Sequence, residues 1–218
     1  MRILEEAAEN LNNKEPQVMP IMHYTHPMLR EVSQPIVTDI GSNAPLQVLL
    51  NNMVATMTAY NGLGLAAVQV GVPVRCLVVR DAKTVYKVIN PTVVDTDGDV
   101  MMKEGCLSAP GIMLNIRRPK EVVLEYYDEN GDKKKTVAND WLGRAILHEI
   151  DHLQGVLFQD QLPKVRKQEF TNQVKQVDRN IKNLKKRQIK IRNKSDKLAD
   201  AQVKLEEAGQ SLSDSTKA

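Results

Sequence analysis

The segment NDWLGRAILHEIDHLQG (Asn139–Gly155) decides the fold of this sequence. Its apolar residues recur with the spacing of one face of an α-helix. Asn139 or Asp140 can cap the first turn, and Gly155 can end the helix. The apolar positions are Leu142, Ala145, Ile146, Ile150 and Leu153. We predict one amphipathic helix over this segment.

Two histidines, His148 and His152, lie four residues apart in this helix. Residues at i and i+4 share one helical face, so both imidazoles can reach one metal ion. Glu149 follows the first histidine, where its carboxylate can act as a general acid or base toward water. The alternative is a pair of core histidines with no metal. A third ligand is needed to favour the metal site.

A candidate third ligand is Cys106, in the segment KEGCLSAPG (Lys103–Gly111). Its neighbours do not form a core pattern, whereas Cys76 lies in an apolar strand-like run and is predicted to be a small buried hydrophobe. One cysteine and two histidines leave a fourth position open for water, which is typical of catalytic sites. Two cysteines cannot form a disulfide framework, so we predict a cytoplasmic protein.

A third motif is NGLGLAAVQVG (Asn61–Gly71). It lacks the third glycine and the Lys-Ser/Thr pair of nucleotide-binding loops. Its small residues Gly64, Ala66 and Ala67 allow a substrate backbone to come close. The side-chain amide of Gln69 can donate to an oxyanion that develops during a reaction.

The rest of the first 163 residues mixes helix and strand signals without a regular βαβ period, which favours an α+β fold. A helix is predicted from a cap at Ser42 or Asn43 to Asn61-Gly62. Two short β-branched runs, Val74–Val79 and Val85–Ile89, are predicted strands. Glu121–Ala138 is predicted to be a β-hairpin around its Asp-Glu-Asn-Gly turn.

Composition limits the class of protein. The 218 residues are 42% hydrophobic and 26% charged, which suits one globular domain with an appendage. No apolar run approaches the ~18 to 20 residues of a membrane-spanning helix. The first sixteen residues are acidic and match neither a secretory signal nor a transit peptide.

The charge is distributed unevenly along the chain. Residues 164–194 hold twelve Lys or Arg against two acidic residues, a net charge of +10, so the remainder sums to −7. Apolar residues seven apart form one half of a heptad pattern: Phe170, Val177, Leu184, Ile191, Leu198 and Leu205. The intervening positions are apolar at Val174 and Ile181 but polar at Gln188, Ser195 and Gln202, so the pattern weakens toward the end. We predict a basic helical extension over 164–208, a disordered tail over 209–218, and a loosely structured lead-in over 1–19.

Together, GLGLAAVQ, EGCLS and HEIDH resemble, in this order, the three signature motifs of peptide deformylases. The resemblance covers about Pro20 to Pro163 and implies a catalytic domain over 20–163. Leu63 and Val68 replace the family's usual isoleucine and threonine. The resemblance implies antiparallel sheets packed around a central HExxH helix. It also implies an amide hydrolase, not a peptidase, that removes the formyl group from the N-terminal formylmethionine of nascent polypeptides and releases formate.

The resemblance also implies the metal site. Cys106, His148 and His152 would hold one divalent ion. Fe²⁺ is the expected ion, and Ni²⁺, Co²⁺ or Zn²⁺ could replace it. Glu149 would take a proton from the attacking water and deliver it to the departing amine. The Gln69 amide and the backbone N–H of Leu107 would meet the oxyanion.

The substrate, by the same resemblance, would lie as an added strand against Leu63 and Gly105. Trp141 and Arg144 stand where smaller aliphatic residues are usual in the family. The implied substrate-binding residues are Leu63, Gly64, Gly105, Met102, Trp141, Arg144 and Ala145. From its position beside the second motif, Glu104 is expected to form a structural ion pair, with Arg118 as the candidate partner.

The implied partners are formylmethionyl nascent peptides and, through the basic C-terminal helix, ribosomal RNA; no membrane partner is expected. A homodimer through the tail is a further hypothesis. Two other functions stay open at this point. One is an HExxH metallopeptidase, which gives no reason for the other two motifs. The other is a ribosome- or RNA-associated protein that acts mainly through its basic tail.

Overall fold

The computed structural model describes residues 4–5 and 15–215, with side chains described up to residue 192. The chain divides into two compact units, Met1–Phe170 and Thr171–Ala218. Three α-helices are described: α1 (Ala44–Ala59), α2 (Asp140–Leu153) and α3 (Lys167–Ser215). Short 3-10 helices are Pro27–Arg30, Ala67–Val70, Phe158–Gln161 and Lys164–Arg166.

The first unit contains two antiparallel sheets, which confirms the predicted α+β class. The strands are β1 (Gly64–Ala66), β2 (Cys76–Arg80), β3 (Val85–Asp97), β4 (Val100–Cys106), β5 (Ala109–Arg118), β6 (Glu121–Tyr127) and β7 (Lys133–Asn139). Five of them form one sheet in the order β1-β2-β3-β6-β7. The other two, β4 and β5, form a separate hairpin.

The five-stranded sheet lies between α1 and α2. Alternate side chains of a strand point to opposite faces. Cys76 and Val78 of β2 pack in the cluster that includes the buried residues of α1. Leu77 and Val79 pack in the cluster that includes Ile146 and the other buried apolar residues of α2. The two helices therefore cover opposite faces of one sheet.

Helix α1 begins as predicted. The Asn43 side chain accepts a hydrogen bond from the Leu46 amide at 3.0 Å, which satisfies one of the free N–H groups of the first turn. The same helix also contacts the end of the predicted lead-in over 1–19, of which residues 1–3 and 6–14 lie outside the described part. The amides of Gln17 and Met19 donate to Asn52 Oδ1 (2.7 Å) and Thr56 Oγ1 (2.8 Å) of α1. The end of the lead-in is thus tied to the core.

Helix α2 also occupies the predicted segment. It is followed by Gly155 at φ +72°, where a Cβ would lie 2.5 Å from the Arg30 carbonyl oxygen. Only glycine fits this turn without displacing the neighbouring backbone. The tight turn sends Phe158, which is 2% exposed, back into the core.

Of the two hairpins formed by β4–β5 and β6–β7, only the second was predicted. The hairpin of β6 and β7 pairs in register from Glu121↔Asn139 to Tyr127↔Lys133, which confirms the predicted hairpin. The hairpin of β4 and β5 was not predicted. Its glycines and proline indicate turns in isolation, but here they flank the reversal at Leu107-Ser108, next to a register shift between Gly105 and Cys106.

The C-terminal helix is longer than predicted. Helix α3 continues through Gly209 to Ser215, whereas 209–218 were expected to be disordered; residues 216–218 lie outside the described part. One glycine costs a helix only about 1 kcal/mol, and no proline interrupts this segment. Its side chains Ile181, Leu184 and Ile191 are exposed by 46%, 57% and 68%. Within the described ranges, every helix lacks the length or the apolarity of a bilayer span.

Candidate metal centre and active site

Three potential metal ligands meet between the β4–β5 hairpin and α2. Cys106 ends β4, and His148 and His152 lie one turn apart on α2. Their ligand atoms all lie within 4.8 Å of one another. Cys106 Sγ is 3.2 Å from His152 Nε2. The structure thus brings together the three residues that the sequence motifs singled out.

One of the histidines is oriented by a buried carboxylate. His148 Nδ1 lies 2.7 Å from Glu104 Oε1. Because Nδ1 is engaged with this oxygen, Nε2 is the ring nitrogen that is oriented toward a metal. The predicted ion pair of Glu104 is present: Arg118 donates to both of its oxygens at 2.7 and 2.8 Å. Arg118 also donates to Asp151 at 2.9 Å.

The pKa values of the two histidines move in opposite directions. Burial lowers the pKa of His148, but the neighbouring Cys106 sulfur and the Glu104 carboxylate raise it well above its ordinary value. Burial and the charge on His148 hold the pKa of His152 well below its ordinary value. One imidazole is therefore neutral in the metal-free chain, and binding a metal ion would displace the proton of the other.

Glu149 is buried beside the ligands, with 4% of its surface exposed. Burial raises the pKa of its carboxyl group to about 7. Among the described residues, none forms a hydrogen bond with Glu149 Oε2. A buried carboxylate oxygen without a protein partner marks a place for water or a reacting group. A Cβ at position 64 would lie 2.5 Å from Glu149 Oε1, so Gly64 leaves the room that this carboxylate occupies.

Gln69 is held with its amide toward the ligand loop. Its Oε1 accepts a hydrogen bond from the Ala66 amide at 2.8 Å. Its Nε2 lies 3.1 Å from Ser108 Oγ and 3.6 Å from Cys106 Sγ. The carbonyl oxygen is therefore fixed, and Nε2 donates to the ligand loop at Ser108 and Cys106, although Gln69 itself is not in the cavity lining.

A cavity of about 650 Å³ opens onto these groups. Cys106, His148 and Glu149 line it, and so does Leu107. Most of the predicted substrate-binding residues also line it: Leu63, Gly64, Gly105, Trp141, Arg144 and Ala145. Met102 does not lie in this lining. Residues that the sequence did not single out, such as Ile21, His23, Tyr60 and Met113, extend the wall.

Arg144 differs from the expected pocket residue. It is only 2% exposed. Its guanidinium donates to Glu104 Oε2 (2.9 Å) and to the carbonyls of Ile116 (3.0 Å) and Val100 (2.9 Å). Its charged end is thus engaged by protein groups, although the residue borders the cavity.

These residues fit a divalent metal ion. One sulfur and two imidazole nitrogens suit several first-row ions. The Glu104 hydrogen bond fixes His148, as is usual for metal-binding histidines, and Glu149 stands beside the donors with an oxygen that has no protein partner among the described residues. A core histidine pair would explain neither the sulfur nor the carboxylate. The fold and site define a metal-dependent hydrolase.

Comparison with known proteins gives the family. The sequence model of the family described as polypeptide deformylase matches residues 18–168. The peptide deformylase of Helicobacter pylori (strain Shi470) is 38% identical over 173 residues, which cover 76% of this chain and 97% of the relative. That of Wolinella succinogenes is 36% identical over 170 residues, 74% of this chain and 98% of the relative. The chain belongs to the peptide deformylase family.

Solved structures agree with this assignment. The crystal structure of the Thermus thermophilus peptide deformylase has a TM-score of 0.67 and 36% identity, covering 71% of this chain and 92% of that chain. The Ehrlichia chaffeensis peptide deformylase in complex with actinonin has a TM-score of 0.68 and 36% identity, with 75% and 99% covered. Enzymes of this family remove the formyl group from nascent peptides in a metal-dependent reaction, as the sequence motifs imply. This assignment favours deformylation over the metallopeptidase alternative.

Proposed function

We propose that Cys106, His148 and His152 hold Fe²⁺ and that the cavity above them takes the formylmethionine of a nascent peptide. The observation that carries this proposal is the meeting of three ligand atoms within 4.8 Å of one another, beside the buried Glu149. When bound, a divalent ion supplies the positive charge that acidifies a water molecule and polarises the formyl carbonyl. The choice of Fe²⁺ follows the family resemblance, because the donor set itself suits several ions.

Glu149 is the proposed proton shuttle. Its burial and its pKa near 7 allow the carboxylate to take a proton from the attacking water and return it to the departing amine. The Gln69 amide, which is held against the ligand loop, is the proposed hydrogen-bond donor to the tetrahedral oxyanion. The backbone N–H of Leu107, in the turn after Cys106, is the proposed second donor. The products are formate and a peptide with a free N-terminal methionine.

The peptide is proposed to lie between two strand edges. Leu63 precedes β1 and Gly105 lies at the end of β4, and both line the cavity. An extended peptide can use their backbone groups as an added strand. Trp141 and Leu63, 53% and 48% exposed, offer apolar surface at this cavity for the methionine and its neighbours.

The test is formate release from a formylmethionyl tripeptide by protein purified without oxygen and loaded with Fe²⁺. We expect turnover with the formylated peptide and no cleavage of internal peptide bonds. Cleavage of an unformylated peptide chain, without formate release, would contradict the proposal and support a metallopeptidase.

The iron form should be the least durable in air. A thiolate on a ferrous ion is open to oxidation of the metal and of the sulfur. We expect activity to decline much faster in air for the Fe²⁺ protein than for the Ni²⁺ or Zn²⁺ proteins, measured as residual formate release over time. Equal aerobic lifetimes for the three forms would count against a Cys106–iron contact.

We also propose that the basic helix docks the enzyme on the ribosome in the cytoplasm. The net charge of +10 over 164–194 suits RNA phosphates, and such contacts weaken steeply as salt rises.

The catalytic body is proposed to end at Phe170 rather than at Pro163. Phe170 forms edge-to-face contacts with Tyr24 (5.3 Å between ring centroids) and with Phe158 (6.2 Å), and the first compact unit ends at the same residue.

Truncation separates these roles. A chain ending at Phe170 should lose salt-sensitive co-sedimentation with ribosomes and keep its turnover of a short peptide. A chain ending at Pro163 should in addition lose thermal stability, because Phe170 no longer covers Phe158. Ribosome binding that survives both truncations would show that the tail is not the docking element. A concentration-dependent change of mass only in the full-length chain, without ribosome binding, would support the homodimer instead.

A further inference from the structure

Arg144 joins helix α2 to both strands of the hairpin that carries Cys106. Its guanidinium donates to Glu104 and to the Val100 carbonyl, both on β4, and to the Ile116 carbonyl on β5. All three distances lie between 2.9 and 3.0 Å. Arg144 itself is 2% exposed. Three charge-assisted bonds from one buried side chain fix the position of the hairpin relative to α2.

Both oxygens of the Glu104 carboxylate accept hydrogen bonds from several side chains. Oε2 accepts from Arg118 Nε (2.8 Å) and from Arg144 Nη1 (2.9 Å). Oε1 accepts from Arg118 Nη2 (2.7 Å) and from His148 Nδ1 (2.7 Å). A carboxylate has about four acceptor sites, so each one here has a donor. With its position determined by two guanidinium groups, Glu104 holds the His148 ring in one orientation.

This cluster joins two carboxylates to two guanidinium groups. Arg118 pairs with Glu104 and Asp151, Arg144 pairs with Glu104, and the His148 ring also contacts Glu104. Glu104 and both arginines are at most 6% exposed. Removing Arg144 would take one buried positive charge away from Glu104, and two backbone carbonyls would lose a donor.

We propose that Arg144 is a positioning residue for the metal centre. It acts on two ligands at once: on His148 through Glu104, and on Cys106 through the hairpin strand that ends at this cysteine. This inference rests on the proposed ligand roles of His148 and Cys106. It differs from the expected role of Arg144 as a wall of the methionine pocket, because the two roles predict different defects.

The test replaces Arg144 by methionine, which keeps a long apolar side chain beside the cavity and removes the guanidinium. The probe is Co²⁺, titrated into the metal-free protein and followed by the visible absorption of the thiolate-bound ion. We expect Arg144→Met to bind Co²⁺ some 10–100-fold more weakly, which is the usual effect of losing an outer partner of a metal ligand. The absorption spectrum should also change shape, since the ligand geometry is no longer fixed.

The matched control is Arg117→Met on the same hairpin. Arg117 pairs with Asp99 at 2.8 Å, but it is 65% exposed in its side chain. The control should bind Co²⁺ like the wild type. Arg144→Lys keeps the charge without the fork geometry, so its Co²⁺ affinity should fall between those of Arg144→Met and the wild type; it serves as the readout should Arg144→Met fail to fold.

Two results would overturn the inference. One is a folded Arg144→Met protein, or an Arg144→Lys protein, with wild-type Co²⁺ affinity and spectrum. The other is a rise of KM for the formylated peptide as the only defect, which is the signature of a pocket wall. His148→Ala is measured in parallel: if it keeps wild-type Co²⁺ affinity, the proposed metal site itself fails. If it loses Co²⁺ while Arg144→Met does not, only the role of Arg144 fails.

Discussion

Replacement of Glu149 by alanine is expected to lower turnover by roughly 10²–10⁴-fold or more, while the metal content stays at the wild-type level. The reason is the place of its carboxylate: it lies beside the ligand group of Cys106, His148 and His152 without belonging to it. Removing it takes away the proton acceptor and leaves the donor set. Formate release and metal analysis on the same preparation measure the two effects.

A matched control is Glu129→Ala, which removes a partly exposed carboxylate from the turn between β6 and β7. It should leave both turnover and metal content unchanged. Near-normal formate release by Glu149→Ala would refute the proton-shuttle role. Loss of the metal together with the activity would instead indicate that Glu149 is a ligand.

Replacement of Cys106 by alanine is expected to abolish stoichiometric metal binding and, with it, turnover. Two imidazoles alone remain from the donor set, so metal affinity should fall by more than the roughly 10–100-fold that follows loss of an outer partner. Metal content after dialysis and formate release with added Fe²⁺ are the measurements. Excess metal should restore turnover only in part, because the site has lost its sulfur.

The other cysteine provides the control for this change. Cys76 is fully buried in β2, and burial raises the pKa of its thiol to about 12. It stays protonated at neutral pH and lies in the apolar core, so Cys76→Ala should keep the metal and the turnover, at a modest cost in stability. A Cys106→Ala protein that retains one tightly bound metal ion per chain would contradict the proposed ligand set.

Local patterns carried much of the prediction. Helix α2 and the hairpin of β6 and β7 depend on spacing and turn residues within one short segment, and both were predicted close to their observed bounds. The i and i+4 spacing of His148 and His152 likewise places two ligands by helix geometry alone. For these parts, short-range sequence determines the structure.

The parts that were missed depend on distant partners. The β4–β5 hairpin contains glycines and a proline that indicate turns until the pairing of the two strands is known. Arg144 was assigned to the pocket from the family resemblance, and it does line the cavity, but its bond to Glu104, 40 residues earlier, was not predicted. Glu104 in turn contacts His148, 44 residues later. Such pairing arises from tertiary packing and leaves no periodic signal.

The arrangement of the three donors has a consequence for biosynthesis. Cys106 and His152, whose donor atoms lie 3.2 Å apart, are separated by 46 positions in the sequence. Bringing them together closes a long loop, whose entropic cost must be met by packing of the hairpin on α2. During translation Cys106 leaves the ribosome well before either histidine. With the proposed ligand set, all three donors are together only after α2 has been synthesised and docked, which would make metal insertion a late event in the maturation of each new molecule.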